Sequence, residues 1–261
     1  MFSWLRRLRE PPPIPDPLWR KVLADYPFIA RRPAAELERL RLLAARFLRD
    51  KEFTGAGGLV ITDAIALSIA AQAVLPVLHL GLAWYDDFVG IVVHPGEVVA
   101  RRTGTDDAGV VHQWTEVLAG EAMERGPVML SWHDVQAGGR RIEGAYNVVI
   151  HEFAHKIDMR DGEADGCPPL ASAAAREAWA EALRAEYQDF REKVIMAERF
   201  GGERPWLDPY GAQEIGEFFA VACEGYFVDS DRFAQAHPRL LPLFDAFFRR
   251  QAPKPSSGQP G

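Results

Sequence analysis

The strongest constraint on this chain lies between residues 146 and 158. Tyr146-Asn-Val-Val-Ile150 is an apolar lead-in that runs straight into His151-Glu-Phe-Ala-His155. Phe153, Ala154 and Ile157 supply further apolar surface, so a helix here must be buried. A buried helix bearing two imidazoles and a carboxylate is costly unless those groups are satisfied. His151 and His155 are four apart and share one helical face, from which both rings can reach one cation. Neutral imidazole suits zinc, which favours tetrahedral nitrogen, sulfur and oxygen donors. Glu152, next to the first histidine, is placed to reach a metal-bound water rather than the metal. The pattern therefore points to a zinc-dependent peptidase with one zinc per chain and Glu152 as general base.

A catalytic zinc needs a third protein ligand and an open position. Asp158 lies seven residues after His151, on the same face. Asp161, Glu163 and Asp165 follow in a loop, and Glu214, Glu217 and Glu224 share a face of a later helix. Spacing alone does not choose among them.

The rest of the chain sets the frame. Its 261 residues, 48% hydrophobic and 26% charged, suffice for a sizeable core. A net charge of −7 argues against direct nucleic-acid binding. Two cysteines, Cys167 and Cys223, form no metal or disulfide framework and read as free thiols or a single bridge. Met1–Glu10 has charges without the apolar core of a signal peptide, and no stretch is long enough to span a bilayer, which together suggest the cytoplasm. Phe2, Trp4, Leu5 and Leu8 among arginines read as a peripheral helix packed on the domain, with a membrane-surface helix as the alternative.

Residues 17–50 read as two helices, the second starting at Pro33. Thr62 or Asp63 caps a core helix running to about Leu80. Phe88–Val93, Glu97–Ala100, Gln113–Met123 and Val128–Trp132 read as strands of a small, mostly antiparallel sheet. After the active helix, helices are expected over Ser172–Arg199, Gln213–Val228 and Leu241–Arg250. The order helix–sheet–helix suits an α+β fold with the active helix packed on the sheet. One domain over 1–250 is expected, with parts at about 15–82, 84–160 and 170–250, and a disordered tail over 251–261. His79, His94, His112, His133 and His237 are scattered and read as core or surface residues, and Trp84, Trp114 and Trp179 as core.

Two blocks, Asn147–Asp158 and Asp208-Pro-Tyr-Gly-Ala-Gln-Glu-Ile-Gly-Glu-Phe-Phe-Ala220, resemble the Mlc titration factor A family of zinc peptidases. More loosely they resemble the catalytic domain of anthrax lethal factor. The likeness implies a zincin-like fold in which His151, His155 and Glu217 hold the zinc and Tyr210 supports the oxyanion. It leaves Asp158 either as the partner that orients a ligand histidine or as a residue of the helix's last turn, and Glu214 and Glu224 either as groups supporting a ligand or as solvated residues. It also implies an aminopeptidase-like activity linked to the sugar phosphotransferase system. The alternative it carries is a weakly catalytic protein that sequesters the repressor Mlc. Peptide substrates usually bind such sites by adding a strand to a sheet edge, here expected at Val128–Trp132.

Overall fold

The computed structural model describes residues 10–105, 111–138 and 145–249. The expectations for the N-terminal segment up to Arg9 and for the tail lie outside the described residues.

Three helices open the fold: α1 (Asp16–Asp25), α2 (Pro27–Ala30) and α3 (Ala34–Asp50). Two were expected. The break is at Tyr26, whose φ of −126° and ψ of 79° keep it out of the helical region because Pro27 follows. Pro33 stands just outside α3, at its N-cap. Strand β1 (Glu52–Gly55) follows, then α4 (Asp63–Ala73), where the Thr62 hydroxyl accepts from the Ile65 N–H at 3.3 Å. This core helix ends at Ala73 rather than near Leu80. Pro76 lacks the N–H that would continue the ladder, and the buried residues Val74–Leu78 pass instead as turns.

Strand β2 (Gly90–His94) leads into a hairpin of β3 (Val98–Thr105) and β4 (Val111–Leu118), paired antiparallel. The expected single strand over Gln113–Met123 is two, because the chain leaves the hairpin at Ala119 and joins another sheet as β5 (Gly120–Ala122). A tight turn then gives β6 (Val128–Ser131), and Trp132, expected in the strand, begins α5 (Trp132–Gly138).

The four-stranded sheet has the order β1-β2-β6-β5. The α+β class holds, but this sheet is not mostly antiparallel. β1 with β2 and β2 with β6 are parallel, and only β5 with β6 is antiparallel. The cause is the connections: α4 carries the chain back between β1 and β2, and the hairpin and β5 intervene between β2 and β6, whereas β5 and β6 share a short turn. Nor is Val128–Trp132 the sheet edge: Val128–Ser131 is an interior strand, and the edge beside the histidine-bearing helix is β5.

Ile91, Val93, Val128 and Leu130 point to one buried face, as strand alternation requires. The histidine-bearing helix α6 (Val148–Asp158) packs on β5 and β6, and its Phe153 meets the rings of Phe47, Tyr85 and Phe88. The long helix α7 (Ala173–Phe200) starts at a Ser172 cap and ends at Gly201, in the left-handed region at φ 71°. Then come α8 (Ile215–Val228), α9 (Ser230–Ala236) and α10 (Leu241–Phe248). The seven-residue α9 was not foreseen. One apolar core runs from Ile14 to Phe248. No helix among the described residues is long and apolar enough to cross a membrane.

Candidate metal centre

Helix α6 is set by the residue that caps it, Asn147. The Asn147 side-chain oxygen accepts from the Ile150 N–H at 2.9 Å, fixing the first turn and therefore the face that follows. On that face His151 and His155 stand one turn apart, with Nε2 atoms separated by 3.2 Å. Helix α8 packs directly against α6 and brings Glu217, in its first turn, to the same point. Glu217 Oε2 lies 3.0 Å from His151 Nε2 and 3.3 Å from His155 Nε2.

These three separations test whether a metal fits. Tetrahedral donors about 2.0–2.1 Å from zinc lie roughly 3.3 Å from one another. The triangle of 3.2, 3.0 and 3.3 Å matches one face of such a tetrahedron. Among the described residues, His151, His155 and Glu217 are the one group of three or more potential ligands that converges in this way.

The tautomer of His151 is set from behind. Its Nδ1 lies 2.8 Å from Glu224 Oε1; when the ring is neutral, as a metal ligand must be, that carboxylate accepts the Nδ1–H and leaves the Nε2 lone pair toward Glu217 and His155. The other Glu224 oxygen accepts the Asn147 backbone N–H in a short contact. Asn147 Nδ2 donates to Gln72 Oε1 at 2.7 Å, and Gln72 Nε2 donates to the Ser68 carbonyl at 2.9 Å. A continuous buried polar chain thus ties α4, the start of α6 and Glu224 of α8 to one imidazole. Of the two carboxylates left between a ligand's support and a solvated face, Glu224 takes the first place and the exposed Glu214 the second. The signal for Glu224 was the seven-residue step from Glu217, which puts both carboxylates on the α8 face that meets α6.

Asp158 does not take that role. It is fully buried at the far end of α6, where Oδ2 accepts from the Gly166 N–H at 2.8 Å. It closes the helix's last turn onto the following loop, the second of the two readings. Asp161, Glu163 and Asp165 are exposed on that loop and outside the cluster, and Glu214 is exposed at the N-cap of α8.

Glu152 is buried beside the three donors. Burial raises its carboxyl to about 7, against the pull of His151 and His155. On His151, burial lowers the pKa, but the hydrogen bonds to Glu217 and Glu224 outweigh it and hold the imidazolium well above its usual range. Burial alone would raise Glu217, yet its bonds to the two histidines hold it below the usual carboxylate range. The Tyr210 ring lies 5.9 Å from that of His151, on a short turn where Asp208 accepts from the Tyr210 N–H at 2.9 Å. Glu97, Gly120, His151, Glu152, Asp208 and Tyr210 line a cavity of about 230 Å³.

Four histidines set aside in the sequence have other surroundings. His79 lies 3.6 Å from Glu36, His133 is 3.7 Å from Asp134, and His237 pairs with buried Glu186 at 2.9 Å. His94 ends β2. Both cysteines are free, so the single bridge does not form. Trp179 is in the core and Trp84 packs on its margin, whereas the side chains of His112 and Trp114 lie outside the described residues.

A small mixed sheet laid on a histidine-bearing helix, with the remainder largely helical, defines a zincin-like metallopeptidase fold. The chain belongs to the family described as glucose-regulated metallo-peptidase M90, whose model matches residues 2–249. It is 33% identical over 253 residues to Mlc titration factor A of Salmonella arizonae, covering 96% of this chain and 97% of that one. Over 250 residues it is 31% identical to Mlc titration factor A of Klebsiella pneumoniae subsp. pneumoniae, covering 96% and 92%. The protein of that name from Yersinia enterocolitica is 31% identical over 251 residues, covering 96% and 91%.

Proposed function

We propose that this chain is a zinc-dependent peptidase, active in the cytoplasm, in which His151, His155 and Glu217 hold one zinc ion. The observation that carries the reading is the donor triangle of 3.2, 3.0 and 3.3 Å with Glu152 buried beside it. A bound zinc would activate a water and polarise the scissile carbonyl. Glu152, buried beside the donors, would accept the water proton on its carboxylate and pass it to the leaving amine. Tyr210 donates its hydroxyl proton as a hydrogen bond to the developing oxyanion. Glu224 acts through His151, holding the ring with its Nε2 lone pair forward.

The substrate is a peptide that adds to β5. The Ala119 carbonyl accepts from the Ser131 N–H at 2.7 Å and the Met123 N–H donates to the Pro127 carbonyl at 3.4 Å. Alternate residues of β5 therefore face β6, and Gly120 and Ala122 turn their N–H and C=O groups toward the free edge. An aminopeptidase-like preference for short substrates is part of the reading.

A second activity is supported by the name that the relatives carry, Mlc titration factor A. In this reading a repressor of the Mlc type binds the folded chain and is titrated away from its role in regulating the sugar phosphotransferase system, without need of cleavage. Glu152→Gln separates the two. Turnover of a panel of aminoacyl- and peptidyl-4-nitroanilides is expected to fall by at least about a hundredfold, while capture of purified Mlc is unchanged. Undiminished turnover removes Glu152 as the base; capture lost with turnover makes the two activities one.

A further inference from the structure

We propose that Gly120 is a positioning residue for Glu152: the missing side chain at the sheet edge is what seats the carboxylate. The inference rests on the peptidase reading of the cleft, but the contact itself does not. A Cβ built on Gly120 would fall 2.5 Å from Glu152 Oε1, 2.7 Å from its Cγ and 2.8 Å from its Cδ. Real Cβ atoms essentially never sit that close to another atom, so a side chain at residue 120 forces the Glu152 carboxylate, or the strand, to move. Gly120 is not among the glycines with positive φ, so the reason is proximity and not backbone conformation.

A second contact, independent of the first, fixes the same strand to the same helix. Lys156, next to His155 on α6, is 1% exposed, and its ammonium donates to the Met123 carbonyl at 2.8 Å and lies 3.6 Å from Asp87. It thereby holds the turn that ends β5. The edge is clamped at the Met123 turn and pressed against Glu152 at Gly120, so the carboxylate is confined between strand and helix. The consequence for chemistry is orientation: a proton acceptor displaced by about 1 Å loses on the order of a hundredfold in rate.

The test is a pair of readouts on Gly120→Ala. The first uses the zinc-loaded full chain with aminoacyl- and peptidyl-4-nitroanilides. The expected result is a loss in kcat of roughly 10- to 100-fold, with KM changed by less than about threefold and zinc content unchanged. The second is a thermal-stability cycle that needs no activity. Gly120→Ala is expected to lower Tm in the wild-type background. In Glu152→Ala, where the clashing group is gone, the same change should raise Tm, because alanine at a compatible backbone restricts the unfolded chain. Unchanged kcat in an active protein overturns the positioning role. An equal Tm penalty in both backgrounds overturns the contact. If no substrate is cleaved by wild type, the peptidase reading fails while the cycle still reports on the contact.

Discussion

The two ends of helix α6 each bury a carboxylate, and they treat it differently. Glu224, 2% exposed at the start of the helix, gives one oxygen to the His151 ring and the other to the Asn147 N–H. Asp158, 0% exposed at its end, has one oxygen on the Gly166 N–H and the other without a hydrogen-bond partner among the described residues. Burial, with Asp165 and Asp161 nearby, raises the Asp158 carboxyl to about 8 despite that bond. Equal burial thus accompanies a fully satisfied network at one end and a half-satisfied group at the other. The satisfied end is the one that faces the metal centre. Precision there fixes a tautomer, whereas the other end only closes a loop.

The comparison can be broken most forcefully at Glu224. Glu224→Gln leaves one acceptor for two donors and removes the charge behind His151. Zinc affinity, read by chelator competition, is expected to fall by about 10- to 100-fold, and an unchanged affinity would reduce Glu224 to a core residue. Asn147→Ala comes next. It deletes the cap on Ile150 and strands Gln72 Oε1, and urea unfolding should show a loss of about 2 kcal/mol. A loss within experimental error would mean that the polar chain contributes nothing to stability.

Asp158→Asn has the smallest effect and the opposite sign. Because the folded pKa is raised above the unfolded one, the folded state binds the extra proton, and stability falls as pH climbs from the ordinary aspartate range to about 8. Asparagine avoids that loss while keeping an acceptor for Gly166. The variant should be more stable than wild type at pH 9, with the advantage shrinking steadily as pH falls toward 4. A variant that is less stable at every pH would show that the ionised carboxylate is favoured where it sits.

The same contrast explains what could be read in advance. His151, Glu152 and His155 were legible because one helical turn is enough to bring them together, and the Asn147 cap fixes that turn locally. The helices α7, α8 and α10 appeared within two residues of their expected bounds. The sheet was not legible in its directions. Its strands are three to five residues long, and whether two of them run parallel depends on what connects them, not on their own composition. β5 was hidden inside a run that looks continuous from Gln113 to Met123, and only its tertiary pairing with β6 makes it a separate edge. Glu224 was visible as one of three carboxylates on a helix face. Choosing it required the packing of α8 on α6, in which His151 meets Glu217 on one nitrogen and Glu224 on the other.

The central claim is tested most directly by elemental analysis of metal content for wild type, Glu152→Gln and His155→Ala, together with turnover on the same nitroanilide panel. The account predicts one zinc per chain in the wild type and in Glu152→Gln, turnover in the wild type alone, and zinc lost from His155→Ala. Full zinc occupancy in His155→Ala, or no zinc in the wild type, would contradict it.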